Sequence, residues 1–398
     1  MKQRIFIAIH YMEIGGAEIS LIGLLNAIDY SLYDVDLFVY SHRGEFMSLI
    51  PKEVNLLSED MKYASIEKPM TTALKSGYVD IVAARLWAKV QFKRYAKKSN
   101  LTDGSAILQY ISDNTTPLLK SLHYLGEYDL AISFVTPHTI VRKKVRAKKK
   151  IAWIHTDYTN ISVNSEKELP DWSSYDYIAS ISEEVGKKFC QVFPTLKEKL
   201  ALIENILSPT FVRERSRMAS AEDMPQIDGE YRFLSVGRYS HPKNFDNLPF
   251  IAKSLLVKGL KFKWYIIGYG GDEALIKSKI AEAGVEQTVI LLGKKSNPYP
   301  YMAACDFYIQ PSRYEGKSVT VREAQMLYKP VVVTNYPTAS SQIKSGVDGV
   351  IVPLENDSCA SGIYEFIANK ELQESIIGHL RDNDYGNETE VEKLYKLI

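Results

Sequence analysis

The sequence predicts an α/β protein made of two doubly wound, parallel-sheet domains. Three observations predict it. The chain has 398 residues, more than one hydrophobic core holds, since single cores stop growing near about 250–300 residues. A unit of strand, glycine-containing turn and amphipathic helix recurs along both halves. Several strands are continuous apolar runs rather than alternating ones, the pattern of strands buried on both faces of a parallel sheet.

In the first half, Arg4–Ile9 reads as a strand, followed by the turn Gly15-Gly16 and a helix over Ala17–Ile28 with apolar spacing at Leu21, Leu24, Leu25 and Ile28. Val35–Tyr40, Leu130–Phe134, Ile151–Ile154, Tyr177–Ile181 and Leu200–Ile203 come next as strands. The second half repeats the plan. Arg232–Val236 runs into Gly237 and then a helix from Asn244, and Phe262–Ile267 runs into Gly268 and a helix over Asp272–Ala283. Thr288–Leu292, Asp306–Gln310, Val331–Thr334 and Val350–Val352 complete the strands. Weak periodicity with Pro209, Pro225 and Gly229 places the boundary in Asn205–Glu230. The expected division is 1–205, 206–375, and a helical C-terminal segment 376–398 able to pack back on the first domain. Open α/β sheets bind ligands outside the carboxyl ends of their strands, so a site is expected in a cleft between two facing domains.

Composition narrows the function classes. Hydrophobic content of 45% and charged content of 24% are ordinary for a globular protein. A net charge of +1 argues against nucleic acid as the main partner. Cys190, Cys305 and Cys359 are sparse and lack metal-ligand spacing, which reads as buried small hydrophobes in a reducing, cytoplasmic setting. The opening MKQRIFIAIHY is too short an apolar run for a secretory segment and reads as a first strand. No run approaches a membrane span.

The segment PSRYEGKSVTVREAQML, residues 311–327, is the most informative. Glu315 sits in the loop after a strand, and Glu323 lies more than one turn into the next helix. The amides of Lys317, Ser318 and Val319 belong to a helix start, where unpaired donors and the helix dipole favour a phosphate. A carboxylate in such a loop can accept hydrogen bonds from sugar hydroxyls, and a deeper one can hold a ribose. Two glutamates at this spacing equally suit a helix start with no ligand. In VGRYSHPKNFD, residues 236–246, Arg238 and Lys243 come after Gly237 at a strand end and can grip a diphosphate; taken alone they also read as solvated surface cations. In IIGYGGDE, residues 266–273, Gly268 and Gly270 form a tight turn that lets backbone approach a ligand, but not a full dinucleotide fingerprint. Gly16 occupies the same position after the first strand. In IAWIHTDY, residues 151–158, His155 and Asp157 lie just past a strand end. Asp34-Val-Asp36 has the form of a metal-binding D-x-D but stands at the start of a strand, the wrong end for such a site.

Together and in this order these residues resemble the GT-B glycosyltransferases, specifically retaining glycosyltransferase family 4. The resemblance spans nearly the whole chain and is strongest over 231–355. It rests on Gly15-Gly16-Ala17-Glu18, His155, Ser182-Glu183-Glu184-Val185, Asn205, Gly237-Arg238 with Lys243, and Glu315 with Glu323. It implies two Rossmann-like domains facing across a cleft, the first binding acceptor and the second nucleotide sugar. It implies that Arg238 and Lys243 neutralise the donor diphosphate without a metal or other cofactor. Glu315 would orient the transferred sugar, Glu323 would bind ribose, and His155 would contact the sugar near the reacting centre. Gly16 would admit acceptor or phosphate, and residues from Gly293 to Tyr301 would border the base. The implied reaction is retaining transfer of a hexose or N-acetylhexosamine, with UDP the commonest carrier in the family, to a lipid-linked or polysaccharide acceptor. Lys317-Ser318 departs from the family's Phe-Gly and adds a cation near the donor. NYPTASSQ, residues 335–342, replaces the family's acidic residue and offers Ser340 and Ser341 as donor-site groups or a helix cap. Alternative readings are a sugar-nucleotide epimerase, another enzyme of this architecture, or a non-catalytic sugar-nucleotide-binding protein.

Residues 81–102 carry Arg85, Lys89, Lys93, Arg94, Lys97 and Lys98 with no acid, interleaved with Trp87, Phe92 and Tyr95, and 142–150 adds seven more basic residues. These runs suggest attraction to anionic headgroups on the inner membrane face, or to a phosphorylated acceptor. A helical projection of 81–98 spreads the cations over much of the circumference, and a solvated basic helix accounts for them equally well.

Overall fold

The computed structural model describes residues 2–101 and 103–398. The chain divides into two compact units, Met1–Ile206 with Glu388–Ile398, and Leu207–Asn387. Each is built on one parallel sheet.

The first sheet contains β1 (Gln3–Ile9), β2 (Tyr33–Val39), β3 (Asn55–Leu56), β4 (Glu127–Ser133), β5 (Arg146–Ile154), β6 (Tyr177–Ser180) and β7 (Leu200–Leu202), in the order β3-β2-β1-β4-β5-β6-β7. The second contains β8 (Tyr231–Val236), β9 (Phe262–Ile267), β10 (Val289–Gly293), β11 (Phe307–Gln310), β12 (Val331–Thr334) and β13 (Val350–Val352), in the order β10-β9-β8-β11-β12-β13. Every pairing is parallel. Strand order reverses between β1 and β4 in one sheet and between β8 and β11 in the other. These two switch points are where doubly wound sheets bind ligands.

Apolar runs became strands because both sheet faces are covered. Successive side chains point to opposite faces: Phe233, Trp264 and Phe307 pack into one core layer of the second unit, and Leu234, Tyr265 and Tyr308 into the other. β5 begins five residues before the expected Ile151, through Arg146–Lys150. Those basic residues mask the strand in sequence. Pairing with β4 carries the backbone through them, while Lys148 reaches Asp129 at 2.7 Å and Lys150 Nζ reaches the Val145 carbonyl at 2.7 Å. Asp36, half of the rejected D-x-D, is consumed at the sheet by Asn55 Nδ2 and Tyr128 OH, both at 2.6 Å.

The C-terminal segment divides later than residue 376. Ile376 and Leu380, on the helix Lys370–Asp382, belong to the core of the second unit. Only Glu388–Ile398 groups with the first unit. There Tyr395 stacks on Tyr33 at 4.4 Å between centroids, its hydroxyl accepts from the Asp29 amide at 2.8 Å, and Glu390 accepts from the Glu204 amide at 3.0 Å. Cys305 and Cys359 are buried, as expected, but Cys190 is only half-buried. Among the described residues no helix is long and apolar enough to cross a membrane.

Candidate functional site

In the second unit the switch point brings Lys243 and Glu315 together. β8 ends at Val236 and is followed by Gly237, whose amide donates to the Ile267 carbonyl at 3.0 Å. The chain then passes through a short 3-10 turn, His241–Lys243, closed by Asn244 in a left-handed conformation at φ 61°. Asn244 Nδ2 donates to the Pro311 carbonyl at 2.8 Å, and the Arg313 amide donates to the Pro242 carbonyl at 2.8 Å. The Arg313 guanidinium grips both oxygens of Asp246 at 2.7 and 2.8 Å. The loops after β8 and β11 are therefore stapled to each other at three places.

That staple sets the ion pair. Lys243 Nζ lies 2.5 Å from Glu315 Oε1. The same oxygen accepts from Ser312 Oγ at 2.6 Å and from Gln310 Nε2 at 3.3 Å. Thr338 Oγ1 holds the Glu315 carbonyl at 2.7 Å. Glu315 is a buried residue, so its charge needs these partners. Oε1 carries all three, and Oε2 takes no hydrogen bond from the described residues. Arg238 is exposed, and its guanidinium makes no ion pair or hydrogen bond with the described residues.

The glycines of this region answer to the chain itself. A Cβ on Gly268 would stand 1.9 Å from the Gly237 carbonyl oxygen, and one on Gly270 would stand 2.3 Å from that of Tyr239. The IIGYGGDE turn is thus small because it packs on the loop after β8, where the sequence suggested approach to a ligand. A Cβ on Gly237 would meet the Lys243 stem at 3.2 Å. Gly293 closes β10 with a left-handed φ of 68°.

The helix start at 317–319 is partly occupied. The helix runs Val319–Met326, and the Ser318 amide donates to Gln342 Oε1 at 2.9 Å while Gln342 Nε2 donates to the Ser318 carbonyl at 2.5 Å. The Ser318 amide is therefore already committed to a side chain. From the 335–342 loop it is Thr338 and Gln342 that touch this region, whereas Ser341 Oγ turns to the Thr338 carbonyl. Lys317 stands half-buried at the loop's end. Glu323 is 3% exposed and accepts from Tyr299 OH at 2.7 Å. Burial pushes its pKa up to about 7, and the Tyr299 hydrogen bond only partly opposes this.

In the first unit three neighbouring strands, β1, β4 and β5, lead to histidines. His10 directly succeeds β1, and its Nδ1 lies 2.8 Å from Glu67 Oε1. Burial opposes its charge, but Glu67 raises its pKa above the ordinary value, with the Val135 carbonyl and Glu18 adding to the effect. His138 lies beyond β4, with Nδ1 2.8 Å from Ser133 Oγ and its carbonyl held by Tyr175 OH at 2.6 Å. Burial pulls its pKa down to about 3, helped by His10 and His155. His155 lies just past β5, its ring 4.6 Å from that of Phe134 and stacked on Trp153 at 6.1 Å. Burial takes its pKa down to about 4, against the pull of the Phe134 carbonyl. The Nε2 atoms of all three are buried and have no hydrogen-bond partner among the described residues. Buried nitrogens left this way call for an explanation.

Other expected positions serve the fold. Asp157 caps its own turn through Thr159 and pairs with Lys188 at 2.8 Å. Ser182 caps the helix Glu183–Val192 through the Val185 amide at 3.2 Å. Asn205 accepts from Ser20 on the first helix at 2.6 Å. Gly16 opens that helix, and a Cβ there would meet nothing within 4 Å, so no contact within the chain requires glycine. His10, Glu67, His138, Ser312 and Gln342 were not foreseen. His10 alone carried a signal, since like His155 it ends an apolar strand run.

Comparison with known proteins bears on the second unit. Residues 219–381 match the family model described as glycosyl transferases group 1. The matched stretch lies within the second unit, Leu207–Asn387. Among curated relatives, the amylovoran biosynthesis glycosyltransferase AmsD of Erwinia amylovora is 27% identical over 165 residues, 41% of this chain and 46% of AmsD. The N-acetylgalactosamine-N,N'-diacetylbacillosaminyl-diphospho-undecaprenol 4-alpha-N-acetylgalactosaminyltransferase of Campylobacter jejuni is 31% identical over 144 residues, 36% of this chain and 39% of that enzyme. The chain thus spans under half the length of these relatives. The Anabaena protein HepE, solved in complex with UDP-glucose, superposes with a TM-score of 0.66 at 15% identity over 99% of each chain. The glycosyltransferase of Rickettsia africae gives 0.63 at 16% identity over 99% and 97%. The chain accordingly has the GT-B fold of two Rossmann-like units.

Proposed function

We propose that the protein is a retaining, metal-independent glycosyltransferase. It moves a hexose or N-acetylhexosamine from a nucleoside diphosphate sugar to a lipid-linked or polysaccharide acceptor in cell-surface glycan synthesis. The observation that carries this reading is the Lys243–Glu315 pair at the β8/β11 switch point, at 2.5 Å inside a group 1 domain. UDP is the proposed carrier because HepE was solved with UDP-glucose, and the acceptor class rests on the names of the AmsD and Campylobacter relatives.

The roles derive from the chemistry of each group. Lys243 has three N–H donors and spends one on Glu315; the others face phosphate oxygens. Arg238 adds a planar, unengaged fork for the same diphosphate. When the anomeric carbon–oxygen bond breaks, its electron pair leaves on the diphosphate, and these cations stabilise that charge. The acceptor hydroxyl attacks the same face and passes its proton to the departing phosphate oxygen. Glu315 Oε2 orients the sugar hydroxyls, Lys317 and the Val319 amide border the donor, and Glu323 binds ribose. His155, neutral, offers hydrogen bonding to the sugar, and the three unpartnered imidazole nitrogens suit the hydroxyls of a glycan acceptor.

A panel of nucleotide sugars, scored by thermal shift and by slow donor hydrolysis, tests the reading. One or more diphosphate sugars should raise Tm and be hydrolysed, with undiminished rate in EDTA and the anomeric configuration kept in the transferred product. Abolition of hydrolysis by EDTA with recovery on adding a divalent ion, or an inverted product, would overturn it.

A further inference from the structure

The helix Val79–Ser99 spans 21 residues and contains a single acid, Asp80, which pairs with Lys62 at 2.6 Å. Its inner side is set by Ile81 and Ala88, both fully buried, and by Arg85, whose guanidinium donates to the Ser65 and Lys68 carbonyls at 2.9 and 2.7 Å. Arg85 is therefore a packing residue and leaves the basic count of the surface.

The outward face is ordered. At about 100° per residue, positions 79, 83, 86, 87, 90, 93, 94, 97 and 98 fall within an arc of about 140°, and every one is exposed. The N-terminal half of that face is apolar, with Val79 59%, Leu86 50%, Trp87 50% and Val90 40% exposed. The C-terminal half is Lys93, Arg94, Lys97 and Lys98, none ion-paired with a described residue; Arg94 lies over the Trp87 ring at 5.8 Å. The spread seen in helical projection thus resolves once the inward residues are removed. The second basic run has no such face. Within it Arg142 pairs with Asp171, Lys148 with Asp129 and Lys149 with Asp176, and Lys144 and Lys150 donate to carbonyls.

The geometry points to an anionic bilayer as the partner of this face. Trp, Leu and Val insert at the headgroup–acyl boundary while the cations that follow them on the same face sit on lipid phosphates. The charges select an anionic surface, since an apolar patch alone would be indifferent to it. The inference stands apart from the transferase reading and needs no turnover to test.

Tryptophan emission gives a direct readout. Of the four tryptophans, Trp153, Trp172 and Trp264 are at most 2% exposed, so Trp87 is the one that a lipid can reach. The full chain is mixed with phosphatidylcholine vesicles with and without phosphatidylglycerol, at low and high salt. Co-sedimentation should require phosphatidylglycerol and weaken with salt, and lipids brominated on the acyl chain should quench the emission. Lys93→Glu/Arg94→Glu/Lys97→Glu/Lys98→Glu should lower the bound fraction at least about tenfold. Trp87→Ser should abolish the quenching, with the native circular dichroism spectrum kept in both variants. Four results would each overturn the proposal: no binding to anionic vesicles at low salt; binding that survives the four charge reversals; polyphosphate binding with no quenching by brominated lipid; or a dimer, seen in sedimentation velocity, that Leu86→Ser/Trp87→Ser dissociates.

Discussion

The two sheets hold different chemistry at the same topological position. Beyond β8 and β11 the second unit presents charge, with Lys243 and Glu315 paired at 2.5 Å and an unengaged Arg238 nearby in sequence. Beyond β1, β4 and β5 the first unit presents three imidazoles with unpartnered Nε2 atoms, two of them held neutral by burial. Paired and fixed cations suit a ligand whose negative charge grows during reaction. Neutral nitrogens that donate or accept suit a ligand made of hydroxyls. Under the proposed function, one architecture would separate electrostatic work from hydroxyl recognition through the residue types set in the loop after each strand.

The strongest way to break this contrast is to remove the charges. Lys243→Ala or Glu315→Ala should each lower kcat about 10²–10³-fold while circular dichroism stays that of the native fold. The double variant should lose little more than the worse single one, because the two act as a unit. Near-normal turnover in both singles would remove the second unit's switch point from the reaction.

A smaller effect is expected in the first unit. His155→Ala should lower kcat/KM about tenfold, the scale of one lost hydrogen bond. Because burial holds His155 at about 4, the wild-type profile of kcat/KM between pH 6 and 8 should show no inflection that this substitution removes. A lost inflection near neutrality would mean that His155 acts as a proton carrier.

Glu323 sharpens the comparison through stability. Its carboxyl shifts from an ordinary 4.5 to about 7 on folding, so between those values the native state binds more protons than the unfolded chain. Stability should then fall as pH rises from about 4.5 to about 7. Glu323→Gln should flatten that slope in urea midpoints measured across the window; an unchanged slope would assign the pH dependence elsewhere. The smallest effect belongs to Gly16→Ala. With nothing within 4 Å of the added Cβ, Tm should hold or rise slightly, and a fall in kcat/KM at unchanged Tm would mark the approach of a ligand there. Full activity would reduce Gly16 to a helix-start residue.

Several positions were legible because one residue at one place carries the signal. The Gly237 and Gly268 turns, the exposed Arg238, and Glu315 after β11 were all placed at strand ends by apolar run length. The readings that shifted did so through contacts between distant residues. Gln342 occupies the Ser318 amide from 24 positions away, Gly270 makes room for Tyr239, and Lys150 hides a strand by lending its charge to carbonyls. Nothing local in those residues announces such partners.

By itself the sequence determined the class of architecture, the strand-end placement of the candidate residues, and the residue types available there. Apolar periodicity is a local property that can be read along the chain wherever the strand is apolar. Only the tertiary structure decided that Lys243 meets Glu315, that His10 and His138 stand at the ends of strands flanking the β1/β4 switch point, and which cations of the Val79–Ser99 helix remain free. Those outcomes depend on which buried groups find partners, and a buried polar group's state is set by neighbours that the linear order does not name.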